Sequence, residues 1–169
     1  MGYEIAGALG IKMAEPTRDV LCVLGDGSYM MANSELATAA MMGLPLTVVV
    51  TDNRGFGCIN RLQVSTGGAE FNNLLRDAEG GGNSRIDFAA HAASLGATAV
   101  KAGSIAELEE ALARRLEARG PFVVVIDTDP YPSTPHGGFW WDVAVPEVSS
   151  RREVEDRRAL YESRVRERT

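Results

Sequence analysis

Two short runs, Val20–Leu24 and Leu46–Thr51, are strongly apolar and rich in β-branched residues, and each ends in a glycine-flanked turn. Runs this short and this apolar read as strands buried on both faces, the pattern of a parallel sheet covered by helices. The feature limits the chain to a layered α/β architecture. Phe122–Asp127 is a third such run, and Ala97–Lys101 reads as a shorter strand. Helical patterns lie between them over 32–42, 86–95 and 104–118, and the last opens with the capping-box spacing Ser104…Glu107. Met1–Ala14 carries small residues (Gly2, Ala6, Gly7, Ala8, Gly10) at helical spacing, which suits a helix packed tightly on a neighbour. The predicted fold is a doubly wound parallel sheet with helices on both faces, and Val20–Leu24 is expected to be a central strand. Residues 65–85, with Gly80-Gly81-Gly82-Asn83, read as a long irregular and mobile connection. Residues 1–148 are expected to form one domain, and 149–169 a charged helix or tail.

The two turns carry the chemistry. The first is Gly25-Asp26-Gly27-Ser28 and the second is Asp52-Asn53-Arg54-Gly55-Phe56-Gly57. In an open α/β sheet, ligands sit beyond the carboxyl ends of the strands, where both turns fall. Carboxylate, amide and carbonyl oxygens are the hard donors that Mg²⁺ or Ca²⁺ prefers. Glycine turns expose backbone N–H groups that hold phosphate. Together they predict a divalent cation clamped onto a diphosphate. Taken alone, Asp26 would read as a turn residue capping the next helix, and Phe56 as ordinary core. Cys58, His136 and the Trp140-Trp141 pair read as structural or surface residues, although the tail that carries the last three invites a substrate role.

Composition narrows the partners. The chain has 169 residues, 45% hydrophobic and 24% charged, as in an ordinary globular protein with a sizeable core. Its net charge of −6 argues against a nucleic-acid backbone as partner. Cys22 and Cys58 lack metal-ligand spacing and read as free thiols of a reducing compartment, with the cytoplasm as the expected location. No apolar run is long enough to span a bilayer, and Met1–Lys12 has no leader pattern, so no membrane partner is expected.

With Asn53 twenty-seven positions after Asp26, a helix between them and Asn-x-Gly-Phe-Gly closing the second turn, the pattern resembles the diphosphate and metal motif of thiamine-diphosphate-dependent enzymes. The resemblance covers nearly the whole chain as the last of the family's three domains. It implies that Asp26 and Asn53 give side-chain oxygens and Gly55 its carbonyl to Mg²⁺. Gly25 opens the diphosphate turn, Gly27 and Ser28 offer N–H groups, and Phe56 and Gly57 close over the cofactor. Met1 stands where this family places a bulky apolar wedge under the bent cofactor, although a start methionine would occupy the same position by coincidence. The family also uses a glutamate from an N-terminal pyrimidine-binding domain, and it has a middle domain. Both are expected upstream of an uncapped first helix, so this chain alone is expected to bind cofactor weakly and to be inactive. Family sites form between subunits, which implies a homodimer or homotetramer and apolar interfaces near Met1–Leu9 and Asn60–Val64.

Where the simple 2-oxo-acid decarboxylase branch has an acidic residue, six positions after the metal asparagine, this chain has Ile59. The longer phrases from Gly25 to Leu36, Asp52 to Gly57 and Phe139 to Val148 are similar to another branch. That branch resembles acetohydroxyacid synthases in architecture but hydrolyses a ring C–C bond of a small polyhydroxylated cyclic 1,2-diketone in inositol catabolism. Two alternatives stay open: an acetohydroxyacid synthase or glyoxylate carboligase type of enzyme, and a non-enzymatic phosphate-binding module. The last finds no P-loop or dinucleotide fingerprint here.

Overall fold

The computed structural model describes residues 1–78, 85–132 and 142–168. The Gly80–Asn83 stretch, His136, Trp140 and Trp141 lie outside the described residues. What is described falls into two compact units, Met1–Gly55 with Asn83–Asp129, and Phe56–Gly82 with Pro130–Thr169.

The first unit holds the sheet. Its elements are α1 (Glu4–Ala14), β1 (Leu21–Gly25), α2 (Asp26–Met31), α3 (Glu35–Met41), β2 (Thr47–Asp52), α5 (Phe88–Ser94), β3 (Thr98–Ala102), α6 (Ile105–Arg114) and β4 (Phe122–Asp127). The four strands are all parallel in the order β1-β2-β4-β3. Alternate residues of each strand point to opposite faces. Cys22, Leu24, Val48, Val50, Val123 and Val125 pack with Ile5 and Leu9 of α1, Leu36 of α3 and Phe88 of α5. On the other face, Phe122, Val124 and Ala102 pack with Ala111 of α6. The expected doubly wound architecture is therefore present. A fully buried valine or leucine contributes about 1.5–3 kcal/mol, so these rows dominate the stability of the sheet.

The strand expected at the centre stands at the edge. In β1 only Cys22 and Leu24 face the core, while Leu21 is 49% and Val23 59% exposed. An apolar run fits a strand with both faces covered, but here no described element covers the outer face of β1. The expected apolar interface at Met1–Leu9 is also corrected in part, because Ile5, Ala8 and Leu9 belong to the core and leave Met1 and Tyr3 outward.

Local signals explain the helix ends. Ser104 Oγ accepts from the Glu107 N–H at 3.2 Å, the N-cap bond of a capping box, while Glu107 Oε2 reaches one residue further back and accepts from the Gly103 N–H at 2.8 Å. The helix expected to reach Ala118 ends at Arg114 and tightens into a 3₁₀ turn at Arg115–Glu117. The helix expected from Ala32 begins at Glu35, because Asp26–Met31 already forms the separate short α2.

The second unit contains α4 (Gly57–Ser65), a 3₁₀ turn at Leu75–Asp77 and α7 (Arg152–Arg168). The connection expected to be irregular thus carries some order. Asn60, expected at an interface, is buried and donates to Glu70 Oε1 at 2.9 Å. Gly67 has φ of +90°, and a Cβ there would come within 2.4 Å of the Glu153 carbonyl oxygen, so only glycine fits this approach. Arg158 ties α7 to the preceding segment through the Val145 carbonyl oxygen at 2.8 Å. Among the described residues, no helix is long and apolar enough to cross a membrane.

Both cysteines are free, Cys22 buried and Cys58 exposed. Burial, reinforced by the Glu4 charge, pushes the Cys22 thiol up to about 11. A thiol-specific disulfide reagent at pH 8 is expected to modify Cys58 alone in the folded chain, and both thiols once urea unfolds it. Rapid reaction of two thiols in the native state would contradict this packing. Because the raised value makes the folded state hold its proton longer, stability is intact below about pH 9 and falls between about 9 and 11.

Candidate metal and cofactor site

The two motif turns meet at the carboxyl ends of β1 and β2. Gly25 pairs with Thr51 in the parallel register. Thr51 Oγ1 donates to the Leu24 carbonyl oxygen at 3.1 Å, holding the strand ends side by side. Gly25 is extended (φ −78°, ψ 160°) and turns the chain into α2, so Asp26 is the first residue of that helix. Asp26 is 3% exposed. Its Oδ2 accepts the Gly55 N–H at 2.7 Å, which joins the two turns directly.

The second turn is shaped locally. Asp52 Oδ1 accepts the Arg54 N–H at 3.0 Å, the Asx arrangement of a tight turn. Arg54 sits at φ 61° and Gly55 at φ 146°, in the region that favours glycine. Arg54 Nη2 lies 3.9 Å from Asp127 Oδ2, whose Oδ1 pairs with Lys101 Nζ at 2.9 Å. These pairs are about half exposed and contribute little energy, but they draw the arginine away from the turn.

Asn53 decides what the turn can hold. One of its two terminal amide atoms lies 3.3 Å from Asp26 Oδ1 and 2.8 Å from the Gly55 carbonyl oxygen. As nitrogen it donates to both; as oxygen it completes a group of three acceptors with no donor between them. Neighbouring oxygens of a magnesium octahedron, with bonds of about 2.0–2.1 Å, stand about 2.9 Å apart. The amide therefore stands near that spacing from both the carboxylate and the carbonyl, and the three donors have the chemistry that fits a small divalent cation. Among the described residues, no three His, Cys, Asp or Glu side chains cluster as a metal site; the set here is mixed, one carboxylate with an amide and a backbone carbonyl.

Electrostatics agree with an anionic pocket. Burial pushes the Asp26 carboxyl above its ordinary value and the neighbouring Asp52 charge adds to the rise, against the N–H groups of Gly55, Gly27 and Asn53. Ser28 is buried beside Asp26. The Glu4 carboxyl at the head of α1 is held below its ordinary value, first by its own backbone N–H and then by the Ser28 hydroxyl, against some desolvation. Met1 is 67% exposed ahead of α1. Phe56 and Gly57 belong to the second unit, where Phe56 precedes α4 and Gly57 is its buried first residue.

Three roles in and near the motif escaped the sequence. Asp52 and its Asx bond could have been read from Asp-Asn-Arg-Gly. The buried Tyr29 hydroxyl, bonded to His91 Nδ1 at 2.9 Å, could not, because its partner lies 62 positions away. Tyr29 also meets the Phe88 ring edge-on at 5.4 Å, so α2 is anchored onto α5. Glu4 carried no signal in the pattern.

Comparison with known proteins fits this geometry. Residues 1–126 match the family model described as thiamine pyrophosphate enzyme, C-terminal TPP binding domain. The chain is 43% identical over 175 residues to a 3D-(3,5/4)-trihydroxycyclohexane-1,2-dione hydrolase of Bacillus cereus (strain AH820), covering 98% of this chain and 26% of the relative. It is 42% identical, with the same coverage, to the enzyme of that name from Bacillus thuringiensis (strain Al Hakam). The chain thus spans about a quarter of the length of these relatives. Among solved structures, a thiamine diphosphate-dependent 4-hydroxybenzoylformate decarboxylase of Rhodococcus jostii RHA1 superposes with a TM-score of 0.69 at 22% identity, over 79% of this chain and 24% of that one. A benzoylformate decarboxylase from Polynucleobacter necessarius gives 0.65 at 22% identity, over 77% and 23%. Likeness at that identity speaks to the fold alone. The family model extends over most of the chain, which therefore belongs to the thiamine pyrophosphate enzymes as their C-terminal TPP-binding domain.

Proposed function

We propose that this chain is the diphosphate-binding domain of an enzyme that hydrolyses a ring C–C bond of 3D-(3,5/4)-trihydroxycyclohexane-1,2-dione, to give a 5-deoxyglucuronate in inositol catabolism. The observation that carries the site is the meeting of Asp26, Asn53 and the Gly55 carbonyl around one point. The substrate class rests on the 43% identity to hydrolases of that name.

In this reading, Mg²⁺ is held by Asp26 Oδ1, the Asn53 amide oxygen and the Gly55 carbonyl oxygen. The N–H groups of Gly27 and Ser28 take diphosphate oxygens at the turn opened by Gly25, and Phe56 and Gly57 continue the loop on the other side. Thiamine diphosphate, when bound, supplies the electron sink for breaking a bond next to a carbonyl. This chain's own share is positioning: a rigid pair of strand ends fixes the anion and cation sites, so the reacting groups meet in one geometry. Met1 serves as the apolar wedge. The proton-activating glutamate comes from the remainder of the enzyme, and two subunits in a dimer or tetramer complete each site. Ile59 cannot transfer a proton, which favours hydrolysis over an aldehyde-releasing decarboxylation. The surroundings of such an enzyme are the cytoplasm.

Turnover by the full-length enzyme with thiamine diphosphate and Mg²⁺ tests this. The cyclic diketone is expected to be consumed, and pyruvate is expected to be left intact. Condensation of pyruvate in preference to the diketone would transfer the protein to the acetohydroxyacid synthase type.

A further inference from the structure

The first unit has a second recess, at the amino ends of β1, β2 and β4, opposite the strand ends that carry Asp26 and Asn53. Its volume is about 160 Å³, and Lys12, Thr17, Arg18, Asp19, Thr47 and Arg115 supply its polar lining. Lys12 is 5% exposed. Its ammonium donates to the Arg18 carbonyl oxygen at 2.5 Å, and no other partner stands among the described residues for its remaining two N–H groups. Arg115 donates from Nη1 to the Leu112 carbonyl oxygen at 2.8 Å and from Nη2 to Asp19 Oδ2 at 2.5 Å. Its Nε is enclosed without a partner among the described residues. The Arg18 guanidinium is held at 3.2 Å by Glu15, which lies outside the recess lining.

Enclosed charged donors without acceptors are costly, because desolvation is not repaid. Arg18 is paired with Glu15 and Arg115 with Asp19, so the recess keeps in excess the one positive charge of Lys12. The acceptor that matches it is a compact anion that carries several oxygens. The space equals about five waters, which suits the five heavy atoms of a tetrahedral oxyanion. It is well below the roughly 300 Å³ at which pockets for whole cofactors begin. The Thr17 and Thr47 hydroxyls add neutral donors beside the charges.

From this cavity and the unmatched Lys12 donors we propose a binding site for a phosphate anion, free or as the end of a phosphomonoester, separate from the cofactor turns. Lys12 is its central donor, Arg115 stands in the lining, and Arg18 closes the exposed side.

Isothermal titration of the full chain with inorganic phosphate and with methyl phosphate, against chloride at equal ionic strength, tests the proposal. Saturable binding at one site per chain is expected for phosphate. Lys12→Met is expected to weaken it by about tenfold or more, the loss of one charged hydrogen bond, and Arg115→Gln several-fold, because it leaves Asp19 without its partner beside the anion. Should either variant fail to fold, Arg18→Gln, on the exposed side, still reads the site and is expected to weaken binding several-fold. Methyl phosphate binding alongside phosphate makes the ligand a monoester as well as the free ion; phosphate alone makes it the free ion. No heat beyond the chloride control, or unchanged affinity in the folded variants, overturns the site.

Discussion

Replacing Asp26 with asparagine is expected to weaken Mg²⁺-dependent binding of thiamine diphosphate by more than about 100-fold in the full-length enzyme, while leaving the domain folded. Loss of groups that merely support metal ligands costs about 10–100-fold, and Asp26 contributes an oxygen itself in the proposed site. The fold has little reason to suffer. Asparagine keeps an acceptor for the Gly55 N–H, now 2.7 Å from Oδ2, and removes a buried charge. The pH dependence separates the two effects. Burial and Asp52 raise the Asp26 carboxyl above its ordinary value, so the folded state holds the proton longer than the unfolded chain does. Its contribution is fully present at low pH and declines as pH climbs past the ordinary carboxyl value of about 4. The variant is expected to lack that decline in urea midpoints, and calorimetry reads the cofactor. A variant that binds as tightly as the parent would place the cation elsewhere.

Leu36→Ala carries the largest expected loss of stability. Leu36 is 0% exposed in the cluster that joins α1, α3 and α5 to one face of the sheet. Truncating such a leucine costs about 2–5 kcal/mol, counting both the lost transfer energy and the cavity left behind. Typical domains have only about 5–15 kcal/mol in total. At this chain length the melting temperature is expected to fall by about 5–15 °C. Val23→Ala on the outer face of β1 provides the comparison and should change stability by no more than about 0.5 kcal/mol. Equal losses at the two positions would mean that Leu36 is not where the core sits.

Much of this arrangement is legible in the residues because its causes are local. A run such as Leu46–Thr51 can hide its side chains only between two layers, and Ser104…Glu107 announces a helix start that the hydrogen bonds bear out. Gly-Asp-Gly and Asn-x-Gly mark turns whose meeting follows once their strands are neighbours. The misses have non-local causes. Nothing within Val20–Leu24 says whether a neighbour lies on one side or two, so its edge position could not be read. The α2 helix spans only Asp26–Met31 and includes Gly27, too weak a signal to separate from a turn. Tyr29 finds His91 only because α5 returns beside α2.

The order β1-β2-β4-β3 also constrains when the sheet can exist during synthesis. Among the described residues, the third strand made has a single bonding neighbour, and that neighbour is the last one made. Until Asp127 has left the ribosome, Thr98–Ala102 has nothing to pair with, and only the β1–β2 ladder can close. The sheet therefore has to assemble late, by insertion of its final strand between two waiting segments, and a nascent chain halted before Phe122 would remain without its middle.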